Sequence, residues 1–252
     1  MIFYPSLLTK QFGNAESQQT LLFKVPKMDH HPEHKDAPEQ ALADILAAKD
    51  LIELFLKMGK AQELNLASLR DRPNTLFEIN GISLEGKLIA HLVDEARRGQ
   101  GYAYAPYSHF NVGAAILAAN RAGEQKVFSG CNVENAAYGS TICAERTATF
   151  KAVSEGFRKF HAYAVVGGFD QHVSKALRTN TQKSYITPCG SCRQVMNEFE
   201  ASPCAVIMAK GTGEIYMTTL NYLLPSGFGP RALGVDAADY DGGYANQLAQ
   251  KK

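Results

Sequence analysis

Little in this sequence would mark a membrane, secreted or nucleic-acid-binding chain. No apolar run approaches the roughly 20 residues needed to span a bilayer. The formal net charge over 252 residues is +1, which offers no electrostatic footprint for a polynucleotide or an anionic membrane. The opening stretch, MIFYPSLLTKQFGNAESQQT, lacks the basic flank, apolar core and small-residue cleavage site of a secretory signal. Five cysteines are an odd number, and too sparse for a disulfide framework in a chain this long. They are expected to be reduced, in a cytoplasmic setting. No internal repeat is visible. What remains is 45% apolar and 20% charged, enough to bury a proper core as one large domain or as one domain with an appendage.

Scarcity is also uneven along the chain. Only Gly13 and Gly59 precede residue 80, and no cysteine does. Residues 1–37 read as a polar, flexible segment, and the cluster His30, His31 and His34 within it reads as solvated rather than metal-binding. Residues 38–79 read as a helical extension. Over 38–66, Leu42, Ile45, Leu46, Ile52, Phe55 and Leu56 recur at near-helical spacing, Pro38 suits a first turn, and Gly59 marks a break. That extension carries no recognisable chemistry. Residues 236–252 read as a polar tail.

From about residue 80 the elements alternate. SLEGKLIAHLVDEARRG predicts a helix ending at Gly99, and HFNVGAAILAA with QKVFSGCNV predicts a hairpin. A helix around ICAERTATF follows, then a buried strand, FHAYAVVGG. PCGSC opens a further helix, RQVMNEF, and CAVIMAK and EIYMTTL are strands around GTG. The order predicts an α/β fold, a three-layer α-β-α sandwich with a five-stranded mixed sheet.

The cysteines are where chemistry concentrates. Cys143 opens one predicted helix, and Cys189 and Cys192 open another. Helix N-termini favour thiolate over thiol through unpaired N–H groups and the positive dipole end. The Cys189-x-x-Cys192 spacing lets two sulfurs grip one zinc ion. Cys143 can supply a third if the helices lie side by side. Three protein ligands leave a fourth tetrahedral position open, as in a catalytic site, whereas a structural site wants a fourth Cys or His. Glu145 then stands beside the open position as a proton carrier rather than a ligand. A redox CxxC pair needs neither a distant third cysteine nor an adjacent acid. Cys131 and Cys204 read as small core residues.

Taken together, AYAPYSHFNVGAA, GCNVENAAYGSTICAERTA, PCGSCRQVMNEF and LLPSGFGP resemble the cytidine deaminases of the small-subunit, homotetrameric type. The pairing of CAE with PCGSC is the zinc deaminase signature in its three-cysteine form. The resemblance runs from about residue 82 to about 233, and a deaminase domain is assigned to residues 80–235. It implies one Zn²⁺ per chain on Cys143, Cys189 and Cys192, with Glu145 as proton shuttle. Arg146 would offset the charge of the thiolates. Asn132 and Glu134 would hold the ribose 3′-hydroxyl, Phe110 and Tyr138 would line the nucleoside pocket, and the backbone at Ala144 would address the base. Phe228 would reach into a neighbouring subunit and stack on its pyrimidine.

The implied activity is hydrolysis of cytidine and deoxycytidine to uridine and deoxyuridine with release of ammonia, a step of pyrimidine salvage. The expected partners are a small-molecule nucleoside and further copies of the chain in a tetramer, with no nucleic acid and no membrane. A carboxylate at Glu134 would repel a 3′-phosphate, and the chain has no basic surplus to offset it. The rival readings are a blasticidin-type aminonucleoside deaminase, disfavoured by NVEN and Phe228, and a non-catalytic zinc-stabilised protein, disfavoured by an intact Glu145. Two segments depart from the family pattern. One is the extension before residue 80; the other is FDQHVSKALRTNTQKSYIT, residues 169–187, expected to be an exposed excursion from the sheet.

Overall fold

In a computed structural model of the chain, residues 53–237 and Tyr240 are described. The N-terminal segment with His30, His31 and His34, most of the helical extension and most of the C-terminal tail lie outside them. A helix described over residues 53–57 (α1) gives way at Gly59, whose φ of 65° is in the left-handed region. A break at Gly59 within a helical extension of residues 38–79 was expected; beyond that break the structure differs. Gln62–Asn65 form strand β1, which pairs antiparallel with a strand near the far end of the chain. Partner availability, which local spacing cannot report, decides the conformation.

Asn65 caps the short helix α2 (Leu66–Asp71), its Oδ1 accepting from Ala67 N at 3.0 Å. The predicted start of the next helix also shifts. Leu76–Ile79 (β2) and Ile82–Glu85 (β3) form a hairpin around Asn80-Gly81, with φ of 50° and 83°. Asn-Gly is the dipeptide such tight turns require. Helix α3 therefore runs Gly86–Gln100.

The expected elements then follow: β4 (Phe110–Asn120), β5 (Gln125–Cys131), α4 (Ala144–Ser154) and β6 (Phe157–Phe169). After them come α5 (Lys175–Gln182), α6 (Gly190–Phe199), β7 (Glu200–Ala209), β8 (Glu214–Thr219) and α7 (Leu220–Leu223). The sheet order is β1-β8-β7-β6-β4-β5. It is mixed, since β6 and β7 are parallel and the other neighbours antiparallel. Six strands stand where five were expected, because β1 from the extension joins the edge.

Both sheet faces are covered. Along β4, Ala115 and Leu117 pack with Ile89, Leu92, Val93 and Ala96 of α3, while Ile116 and Ala118 pack with Ala148 and Ala152 of α4 and Met196 of α6. Strand alternation splits the two cores and gives three layers. Helix α3 lies so close that a Cβ on Gly113 would strike the carbonyl of Ala96. Cys204 is buried as expected, but Cys131, at the end of β5, is only partly covered.

The 169–187 segment is less of an excursion than its composition suggested. Ser174 caps α5, and Thr181 is buried. Tyr185 lies against Tyr216 of the sheet, ring centroids 5.6 Å apart, and its hydroxyl donates to Glu63 Oε1 at 2.8 Å. Among the described residues, no helix is long and apolar enough to cross a membrane.

Candidate active site

Helices α4 and α6 pack on the same face of the sheet. Cys143 is the N-cap of α4 and Cys189 the N-cap of α6. Cys192 follows within the first turn of α6, so three sulfurs meet where two positive helix ends meet. The Sγ atoms of Cys143 and Cys189 are 3.9 Å apart, those of Cys189 and Cys192 3.4 Å, and all three fall within 4.8 Å of one another. None is in a disulfide. A tetrahedral ion with metal–sulfur bonds of about 2.3 Å separates its ligands by roughly 3.8 Å. The donor set and its spacing fit zinc.

Electrostatics favour a thiolate at one of these sulfurs. A hydrogen bond from Cys192, followed by the Arg146 guanidinium, holds the Cys143 thiol down at about 5. That same hydrogen bond, together with burial, pushes Cys192 up. The proton is thus kept on the covered sulfur, and the outer one carries charge. Arg146 Nη2 lies 3.6 Å from Cys143 Sγ and donates to Thr141 O at 3.0 Å.

Glu145 is 4% exposed. Burial pushes its carboxyl up to about 7, and the charge on Cys143 adds to the rise. A carboxylic acid poised near neutrality can both take and give a proton. Behind α4, β5 comes unusually near. A Cβ built on Gly130 would lie 2.5 Å from Ala148 N and 2.8 Å from Ala144 O. Only glycine lets the helix that bears Cys143 and Glu145 sit this close to the sheet.

The backbone brings Asn132 and Glu134 beside this centre. Val133 exchanges hydrogen bonds with Ile142, the residue before Cys143, at 2.9 and 3.0 Å. Glu134 Oε2 accepts from the backbone N–H groups of Tyr107 and Ser108 at 3.0 and 3.2 Å. Asn132 is turned to the strand: Oδ1 accepts from Val112 N and Nδ2 donates to Phe110 O, both at 2.9 Å. It braces β4 against the end of β5. Phe110 opens β4, edge-on to Phe169 with centroids 4.9 Å apart.

Tyr138 is 70% exposed and meets Tyr107 edge-on at 5.8 Å. Ala144 is buried at the first turn of α4. The structure brings Cys143, Cys189, Cys192, Glu145 and Arg146 together, with Asn132 and Glu134 beside them. Phe228 is treated differently: its carbonyl accepts from Gln194 and Asn197 of α6, while the residue is 65% exposed with no ring partner among the described residues. Tyr107 and Ser108, which hold Glu134, were not singled out from sequence, although they stand within AYAPYSHF. The signal, two backbone N–H groups on a turn, has no side-chain signature.

Residues 87–208 match the family model described as the cytidine and deoxycytidylate deaminase zinc-binding region. The chain is 42% identical over 149 residues to a cytidine deaminase of Sporosarcina psychrophila, covering 59% of this chain and 97% of that protein. It is 40% identical over 136 residues to a probable cytidine deaminase of Dictyostelium discoideum, covering 54% and 80%. A crystal structure of cytidine deaminase from Burkholderia pseudomallei is 42% identical, with a TM-score of 0.46, over 55% of this chain and 97% of that one.

Proposed function

Because this chain belongs to the cytidine deaminase family, we propose that it hydrolyses cytidine and deoxycytidine to uridine and deoxyuridine with release of ammonia. The observation that carries the reading is the meeting of three sulfurs and one buried carboxylic acid at two adjoining helix N-termini. One zinc per chain, held by Cys143, Cys189 and Cys192, would supply an activated water as the nucleophile.

The chain's own groups do the rest. Glu145 carries protons, first to N3 of the cytosine ring as water adds at C4, then to the departing amine. Its position near neutrality suits both transfers. Arg146, close to Cys143 Sγ, draws off part of the thiolate charge so that the centre still favours an attacking oxygen. The α4 backbone at Ala144 addresses the base. Phe110 and Tyr138 line the nucleoside pocket, and Glu134 and Asn132 take the ribose 3′-hydroxyl. A 3′-phosphate would meet the Glu134 carboxylate, which turns polynucleotides away.

The exposed ring of Phe228 supports a shared site, completed by a neighbouring copy in a homotetramer. Such an enzyme would serve pyrimidine salvage in the cytoplasm. The test is the loss of ultraviolet absorbance as cytidine becomes uridine, with and without a chelator. Turnover that stops on chelation and returns with zinc is expected. A zinc-loaded, folded protein that leaves both nucleosides unchanged would overturn the reading, and turnover of blasticidin-type aminonucleosides instead would assign the rival one.

A further inference from the structure

A second group of metal-ligating side chains lies outside the cysteine centre. His109, Asp170 and His172 each bring a donor atom within 4.8 Å of the others. The sheet itself assembles them. His109 precedes β4 and Asp170 follows β6; Phe110 pairs with Phe169 in the ladder, and Asp170 N donates to His109 O at 2.9 Å. His109 has a φ of 57°, a conformation that histidine adopts more readily than most residues with a side chain.

The Asp170 carboxylate is divided between the two rings. Its Oδ2 is 3.4 Å from His109 Nδ1, and its Oδ1 is 3.1 Å from His172 Nδ1. Oδ1 also accepts from His172 N at 2.8 Å, which fixes the carboxylate in place. The imidazole centroids are 5.1 Å apart, tilted by 34°. His172 is exposed and the other two partly so, leaving a way in for an ion and its remaining waters.

We propose that His109, Asp170 and His172 form an accessory site for a divalent transition metal such as zinc, separate from the cysteine centre. Donors bonded at about 2.0–2.1 Å to one ion stand roughly 2.9–3.4 Å apart between octahedral and tetrahedral geometry. The two nitrogen–oxygen separations, one to each oxygen of the Asp170 carboxylate, fall in that range. Two imidazoles and one carboxylate suit zinc, nickel or copper rather than magnesium or calcium, which prefer all-oxygen shells. An ion here ties the segment after β6 to the turn before β4. That turn includes Tyr107 and Ser108, whose N–H groups hold Glu134, so the site stiffens a wall of the neighbouring centre.

The experiment uses the full chain already carrying one equivalent of zinc, and neither readout depends on turnover. Calorimetric titration with further zinc should show a second equivalent, and the melting temperature should rise with free zinc because the ion binds the folded state. His172→Ala and, separately, the isosteric His172→Asn should melt like the unsubstituted chain without added zinc. Both should lose the second equivalent and the zinc-dependent rise. Absence of a second equivalent in the unsubstituted chain would overturn the proposal. Its persistence in both variants would do so too, by assigning the ion to other histidines such as those in HHPEH.

Discussion

Replacing Gly130 by alanine adds one carbon near the end of β5, facing the helix that carries Glu145. The added Cβ would lie 2.5 Å from Ala148 N, 2.8 Å from Ala144 O and 3.0 Å from Ala148 Cα. Ordinary contact begins at about 3.4 Å, so the overlap is roughly 0.5–1 Å. Every atom struck is helix backbone, which cannot rotate away as a side-chain tip can. Helix α4 must therefore retreat from the sheet.

Overpacking of this kind destabilises by about 1–3 kcal/mol, and each kcal/mol lowers the melting temperature by about 2–4 °C in a domain of this size. The displacement also has a chemical consequence. Ala144 sits between Cys143 and Glu145, while Cys189 and Cys192 ride on α6, which is not pushed. One sulfur and the acid move relative to the other two sulfurs. A misplacement on the order of 1 Å can lower turnover about 10²-fold. The assays are thermal unfolding, zinc content and cytidine turnover. Gly139→Ala, where an added Cβ meets nothing within 4 Å, is the stability control and should stay within about 0.5 kcal/mol. If Gly130→Ala melts, binds zinc and turns over like the unsubstituted chain, the close approach of α4 to β5 is not what positions the acid.

Glu145→Ala should keep its zinc yet lose about 10²–10⁴-fold in turnover, and loss of the metal in that variant would make the acid a ligand instead. The pair Cys189→Ala and Cys192→Ala should lose zinc altogether by elemental analysis. In Arg146→Ala the Cys143 thiol loses a group that holds it down, so its pKa rises and protons compete with zinc sooner; as pH is lowered, zinc should leave at a higher pH than from the unsubstituted chain, and coincident release curves would refute the role. Phe228→Ala should weaken cytidine binding with zinc intact, and hybrids reassembled from Phe228→Ala and Glu145→Ala chains should recover activity; hybrids that form but stay inactive would place Phe228 in its own chain's site. Burial lowers the His161 pKa, so the unfolded chain binds the proton first and stability falls as pH drops through about 6.5; His161→Gln should flatten that slope in acid melts.

The α/β order and three-layer packing were legible because the buried elements carry their own apolar patterns. The continuous apolar run of β4 and the apolar face of α3 need no partner to be recognised. The candidate site was legible for a related reason. Cys143, Glu145 and Arg146 share one helical turn, and Cys189 and Cys192 share another, so most of the site is encoded at short range. Tertiary structure decided what depends on distant partners. β1 pairs along the edge that β8 offers, although its residues were read as part of a helical extension. The start of α3 moved to Gly86 because β2 and β3 close around Asn80-Gly81, a local signal that the helical pattern beside it obscured.

The close seat of α4 on Gly130, the pKa of Glu145 and the meeting of His109 with Asp170 and His172 are likewise properties of packing. Sequence determines which donors and acids exist and which turn carries them. Only the fold sets how far they stand from one another and from water, and those separations govern charge, protonation and metal binding.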